Sequence, residues 1–133
     1  MAKTTGLAWP TLSVDDAAGT PVDVRNDVTN FSFATPRGVQ DVTGIDKSAY
    51  ERLLLLADFS ITLNGVFNAA VSHLIFRTVS STAVQRTTSL AIASQTLAPE
   101  VLYTDYNLTR AQSGEFTWTV PGVLSNGAVP TWA

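Results

Sequence analysis

Apolar and polar residues alternate most regularly from Asp58 to Phe67. Phe59, Ile61, Leu63 and Phe67 fall on one face with Gly65 in the same register, and Asp58, Ser60, Thr62 and Asn64 fall on the other. Period-two alternation over this length predicts a half-buried strand, with one face in a core and a polar face bearing no catalytic grouping. Directly afterwards Asn68 is placed to cap a helix over about residues 69–79, in which Ala70, Val71, Leu74 and Ile75 repeat at helical spacing. A mainly β domain with one flanking α-helix is predicted.

The rest of the chain supports that class. Leu12 and Val14 alternate as far as the turn cluster at residues 15–21, and Val22 and Val24 resume, as in a β-hairpin. Val28, Phe31 and Phe33 lead a strand to Ala34, and Thr88, Leu90 and Ile92 alternate with Thr87, Ser89 and Ala91. A strand is predicted from Val101 to Arg110. In the last one Phe116, Trp118 and Val120 alternate with Glu115, Thr117 and Thr119, until Pro121 and Gly122 end or bend it. Residues 1–10 and about 122–133 show no periodic face and read as arms of a single domain.

Between about residues 35 and 57 no single period fits, and Pro36, Gly38 and Gly44 interrupt the pattern, which predicts a long loop. Its apolar content is too high for a solvated linker. Val42, Ile45, Tyr50, Leu53, Leu54, Leu55 and Leu56 are therefore the predicted contacts with another subunit or ring.

Composition narrows the function. A chain of 133 residues accommodates one domain. With net charge −3 and 8 scattered Lys and Arg residues, it lacks the basic footprint of a nucleic-acid binder. Only 14% of residues are charged, against about 25% in an average globular protein. A surface this poor in charge points to burial in an assembly. The absence of cysteine removes disulfides, a thiol nucleophile and Cys-ligated zinc. The N-terminus has no apolar signal-peptide core, so synthesis in a cytoplasm without export is expected, and no apolar run approaches the ~18 residues of a membrane span.

Candidate chemistry is thin. His73 has no second His or carboxylate at helical spacing to make a metal face, and no serine lies in a G-x-S-x-G elbow. Asp15 and Asp16 suit a turn better than an acid/base pair, and Asp41-Val42-Thr43-Gly44 lacks the glycines and lysine of a phosphate loop. No catalytic, cofactor or metal site is predicted. Tyr103, Tyr106, Trp118 and Trp132 are candidates for a sugar platform, which keeps a monomeric carbohydrate- or peptide-binding module as the alternative function.

One resemblance joins these features. A hairpin, a strand ending in Phe31-Ser32-Phe33, a loop holding Asp41-Val42-Thr43-Gly44, the strand from Asp58 to Asn68 and a helix carrying His73 follow one another over roughly residues 20–120. In that order they resemble the major tail protein, or tail tube protein, of long-tailed bacteriophages and of related tail-like particles such as gene transfer agents. The Leu53–Leu56 run with its Tyr50-Glu51-Arg52 lead-in is richer in leucine than that family's pattern.

The resemblance implies an antiparallel β-sandwich or barrel-like fold and a structural virion protein without enzymatic activity or cofactor. It implies self-assembly into stacked hexameric rings that form a hollow tail tube, through which DNA passes transiently and without sequence preference. It also implies partners in the tail terminator, tape measure and distal tail proteins, and a place in the virion tail rather than in a membrane. A tube of a contractile injection system shares the fold. On this reading Ser60, Thr62, Asn64, Thr117 and Thr119 face the lumen, Asp58 and Glu115 repel phosphate there, and the segment from Thr35 to Ala57 and the termini join rings.

Overall fold

The computed structural model describes residues 3–133; Met1 and Ala2 of the predicted N-terminal arm lie outside the described residues. The strands are β1 (Thr11–Asp15), β2 (Pro21–Asp23), β3 (Val28–Ala34), β4 (Arg37–Asp41), β5 (Arg52–Ala57), β6 (Ser60–Val66), β7 (Arg86–Ile92), β8 (Gln95–Leu97), β9 (Glu100–Tyr103), β10 (Asn107–Arg110) and β11 (Phe116–Leu124). One helix, α1 (Ser72–Phe76), lies between β6 and β7. Nine strands form one antiparallel sheet in the order β2-β1-β7-β9-β11-β6-β3, with β8 on β7 and β10 on β11, while β4 and β5 pair only with each other. The fold is mainly β with one short helix, as the periodicity predicts.

A single core cluster draws Leu12 and Val14 from β1, Leu90 from β7, Tyr103 from β9, Trp118 and Val120 from β11, and Ile61 and Leu63 from β6. Strands near opposite ends of the sheet order therefore face one interior, and Trp9, just before β1, meets Phe31 of β3 edge-on with ring centroids 5.0 Å apart. The sheet wraps around its core in a barrel-like way. Gly65 and Gly122 allow this closeness without any unusual backbone angle. The Trp118 indole lies flat across Gly65 and donates from Nε1 to the Val66 carbonyl at 2.8 Å, and Tyr103 occupies the space over Gly122.

Two buried charged side chains hold α1 in place. The Asp27 carboxylate accepts from the Asn68 side-chain amide at 3.0 Å and from the Ser72 backbone N–H at 3.1 Å. At the other end the Arg86 guanidinium, 2% exposed, donates to the carbonyls of Ile75 and Asp15 and to the Thr78 hydroxyl. Burial lowers the Arg86 pKa from its ordinary value, with the nearby Tyr103 and the aspartates of the β1–β2 turn acting the other way. Buried charge is tolerated where its hydrogen bonds are satisfied.

The helix is shorter than the predicted span of 69–79. Asn68 does not act as its N-cap: its side chain accepts from the Ala70 N–H and its carbonyl from the His73 N–H, making a turn, and regular helix begins at Ser72. The buried face consists of Ser72, Ile75 and Phe76, while Leu74 is exposed. Just beyond it the hydroxyls of Thr78, Ser81 and Thr82 donate to the carbonyls of Ile75 and Thr78, which ends the helix early.

The predicted strand from Val101 to Arg110 is two strands along one edge of β11, because Tyr103 pairs with Gly122 whereas Asn107 pairs with Thr119, one residue out of step. The extra residue is a bulge at residues 104–106. Pro121 sits opposite that bulge, where its carbonyl accepts from the Thr104 N–H at 3.1 Å and its missing N–H leaves no ladder bond unmade. For this reason β11 continues through Pro121 and Gly122 to Leu124 instead of ending there. The following tail returns to the body: Ala133 and Thr96 exchange backbone hydrogen bonds of 2.8 Å, and Trp132 packs on Phe33.

Candidate assembly surfaces

The groups that carry chemistry are dispersed. Asp16 accepts from the N–H groups of Ala18 and Thr20, and Asp41 from the Thr43 N–H and hydroxyl, so both are turn residues. The Thr43 bonds hold the Asp41 carboxyl below the usual carboxylate range. His73 Nδ1 pairs with the Tyr106 hydroxyl at 3.2 Å, and the nearby Asp27 carboxylate is occupied by Asn68 and Ser72. These residues therefore make no relay. Glu100 accepts from the Thr87 hydroxyl on a sheet that does not contain Asp41. Among the described residues no cluster of His, Cys, Asp and Glu has the arrangement of a metal site.

The aromatics do not form a sugar platform. Trp118 and Tyr103 are buried, Tyr106 is half-buried against Phe76, and Trp132 lies on Phe33. Burial pushes the Tyr103 phenol far above its ordinary value, against the opposing effects of the Thr88 hydroxyl bond and Arg86.

The sheet face turned away from the core across β3, β6, β11 and β10 is uncharged and mostly polar, with Ala34, Val66, Pro121 and Val123 the apolar residues on it. Register places Ser60, Thr62 and Asn64 of β6 on this face with Asn30 and Ser32 of β3, Thr117 and Thr119 of β11, and Asn107 and Thr109 of β10. Asn64 donates to the Asn30 side-chain carbonyl and accepts from the Thr119 hydroxyl, both at 2.8 Å, so one amide links three strands. The five neutral residues assigned to the lumen from sequence thus share one face. Asp58 and Glu115 each precede their strand, and the antiparallel register sets them at opposite ends of the β6–β11 pair, about 34 Å apart at ~3.4 Å per residue. The Ser113 hydroxyl holds the Glu115 carboxyl below its usual range.

The same four strands end in two open edges. One edge of β11 is taken by β6 and the other is shared between β9 and β10; among the described residues β3 has no partner beyond β6, and β10 none beyond β11. Because neighbouring strands alternate in direction, β3 and β10 run antiparallel to each other across the unit. Asn30, Asn107 and the β3 and β10 edges escaped the sequence reading, since edge status depends on pairings that no local pattern records.

The segment predicted as a loop over 35–57 is a β-hairpin. Val39 pairs with Leu54, Gln40 with Leu53 and Asp41 with Arg52, the Val42 N–H reaches the Glu51 carbonyl, and the Asp58 N–H closes the base on Pro36. A register shift near Gly38, which packs against Leu55, hides the period in the sequence. None of the seven residues assigned to contacts is buried: Leu53, Leu54, Leu55 and Leu56 are 55, 62, 45 and 90% exposed, and Val42, Ile45 and Tyr50 are also exposed. Val39 belongs with them and was not assigned. Three cations and three anions, Arg37, Lys47 and Arg52 against Asp41, Asp46 and Glu51, cancel within the hairpin.

No protein-family model and no curated protein matches the sequence. Two solved structures contain chains of similar shape. One, from the virion of a native gene transfer agent particle, superposes with a TM-score of 0.73 at 15% identity over 90% of this chain and 95% of that one. The other, from the tail of an empty gene transfer agent particle refined with helical, C6 symmetry, gives 0.75 at 14% identity over 98% of each. At such identity the likeness is one of fold, and this protein has, over nearly its whole length, the fold of chains in the gene transfer agent virion and tail.

Proposed function

We propose that the protein is a structural subunit of a tail tube, assembling into stacked six-membered rings around a channel for DNA. The observation that carries this reading is the four-stranded unit β3-β6-β11-β10, with antiparallel open edges on its two sides and an uncharged, mostly polar face between them. Edge-to-edge pairing of β10 with β3 of the next copy is heterologous and closes a ring, which removes both edges from solvent. Six copies give a circumference of ~115 Å at about 4.8 Å per strand, or ~37 Å between opposing backbones before strand tilt widens it. The fold likeness to a chain in a C6-symmetric tail supports the six-fold count.

In this arrangement Ser60, Thr62, Asn64, Thr117 and Thr119 line the bore. A lining without cations offers no anchor for phosphate, and Asp58 and Glu115 at the strand ends give each ring mouth an acidic collar. The hairpin, with Val42, Ile45, Tyr50 and Leu53 to Leu56 bare, reaches other subunits. Covering its four leucines is worth about 4–7 kcal/mol per subunit, taking ~1.5–3 kcal/mol for each fully buried side chain. Terminator, tape measure and distal tail proteins are the partners such a tube requires at its ends and in its bore.

Electron microscopy and light scattering of the purified chain over a concentration series test the proposal. Rings or tubes with an axial channel are expected. A chain that stays monomeric to millimolar concentration, or that binds a glycan or peptide as a monomer, refutes it.

A further inference from the structure

Two Asn-Gly pairs occur in the chain, Asn64-Gly65 and Asn126-Gly127. In such a pair the backbone nitrogen after asparagine can attack the side-chain amide, since glycine has no Cβ to shield it. The fold treats the two oppositely. Asn64 is locked within β6: its side chain donates to Asn30 and accepts from Thr119, and Gly65 lies in the ladder between Val28 of β3 and Trp118 of β11. Asn126 and Gly127 are exposed in the bend after β11. Gly127 has φ +73°, a Cβ built on it meets nothing within 4 Å, and among the described residues no group accepts from its N–H. The Asn126 side-chain carbonyl accepts from the Ala128 N–H at 3.1 Å, a bond that folds the side chain back along the Gly127 peptide and draws electrons from Cγ.

We propose that Asn126 is a self-modification site, where conversion to isoaspartate or aspartate frees the tail beyond it from the body. The Gly127 nitrogen gives its proton to base and bonds to Cγ; the Cγ–Nδ2 bond breaks, Nδ2 leaves as ammonia, and a succinimide remains. Water then opens that ring. Opening at the main-chain carbonyl routes the backbone through Cβ and Cγ, one carbon longer, as isoaspartate; opening at Cγ gives aspartate. Either product bears on the tail. Asn126 and Glu100 line one open cleft of about 290 Å³ that has no cation in its wall, so the new carboxylate faces an existing one. Beyond it the tail is fastened by the paired backbone bonds of Ala133 with Thr96 and by Trp132 on Phe33, and a change of length and charge at residue 126 pulls on those contacts. The site does not depend on the tube reading.

The purified chain, folded or in concentrated urea, is incubated in mildly alkaline buffer and sampled by peptide mapping, with isoaspartate counted by enzymatic methyl transfer from S-adenosylmethionine. In the folded chain Asn126 is expected to convert at least about tenfold faster than Asn64, and in urea at a similar rate to it, because the folded strand alone protects Asn64. Hydrogen exchange on the aged chain is expected to show the Thr96 and Ala133 amides exchanging at least about tenfold faster, with the core residues Leu63 and Val120 unchanged. Asn126→Gln, which would have to close a larger ring, is expected to keep both amides protected through the same incubation. Equal rates at the two asparagines in the folded chain overturn the site. Conversion of Asn126 with Thr96 and Ala133 still protected overturns the release of the tail.

Discussion

Gly65→Ala puts the packing argument to a direct test. A Cβ built on Gly65 lies 2.4 Å from the Asp27 carbonyl oxygen and 2.5 and 2.8 Å from Cζ2 and Cε2 of Trp118, closer than real carbon contacts allow. Neither neighbour is free to yield. The Asp27 carbonyl accepts from the Val66 N–H at 2.9 Å, and the indole is fixed by its 2.8 Å bond to the Val66 carbonyl. Overpacking of a filled site costs about 1–3 kcal/mol, and loss of the indole bond adds ~0.5–1.5 kcal/mol. The alanine recovers about 0.4–1 kcal/mol by restricting the unfolded chain. The net expectation is a loss of about 2–3 kcal/mol, against a total stability of ~7–20 kcal/mol for a domain of this length. Urea titration followed by tryptophan fluorescence should show Cm falling by roughly 1 M at an m-value of about 1–3 kcal/mol/M. Gly6→Ala, which meets nothing within 4 Å, is the matched control. If the two variants share a Cm within about 0.2 M of each other, the idea that Trp118 locks this strand pair is wrong.

Other expectations follow from the same geometry. Arg86→Met leaves the Ile75 and Asp15 carbonyls without their cation and should cost ~1–3 kcal/mol; hydrogen exchange should show α1 opening before the sheet, and uniform exchange would contradict the tie. Ala93 and Ser94, at φ 51 and 66°, make the two-residue turn between β7 and β8, so Ala93→Asn with Ser94→Gly should raise stability by ~1–2 kcal/mol in thermal unfolding. Asp23, whose carboxyl Arg25 holds below its unfolded value, adds stability that is present above the unfolded pKa and lost as pH falls through the folded one. Asp23→Asn should therefore be destabilised at pH 7 by less than about 1 kcal/mol, since the pair is exposed, and match the parent near pH 2; an undiminished gap at low pH would show a different cause.

The regular strands were legible because burial on one face writes itself into the sequence every second residue, as at Phe59, Ile61 and Leu63. The hairpin of β4 and β5 was illegible for the opposite reason. Its two faces are alike, and the shift at Gly38 breaks what phase remains. Val101 to Arg110 read as one strand because a one-residue bulge leaves composition untouched. The helix was overextended because Ala70, Val71 and Leu74 match helical spacing, while the competing bonds of Asn68 and Thr78 are side-chain events that periodicity does not see. Of the surface, the common face of Ser60, Thr62, Asn64, Thr117 and Thr119 followed from strand phase. The grouping of β3 and β10 as open edges depended on topology, as did the separation of Asp58 and Glu115 to opposite ends of the β6–β11 pair.

The internal cancellation of charge on the hairpin bears on how the proposed tube would respond to its surroundings. With three cations balanced by three anions beside bare leucines, the hairpin has little for dissolved salt to screen and much apolar surface for a contact to remove from water. Such contacts weaken on cooling and strengthen in sulfate or phosphate. In the proposed tube, contacts made by the hairpin would then loosen in the cold and hold through changes of ionic strength, a profile set by hydration and hardly by charge.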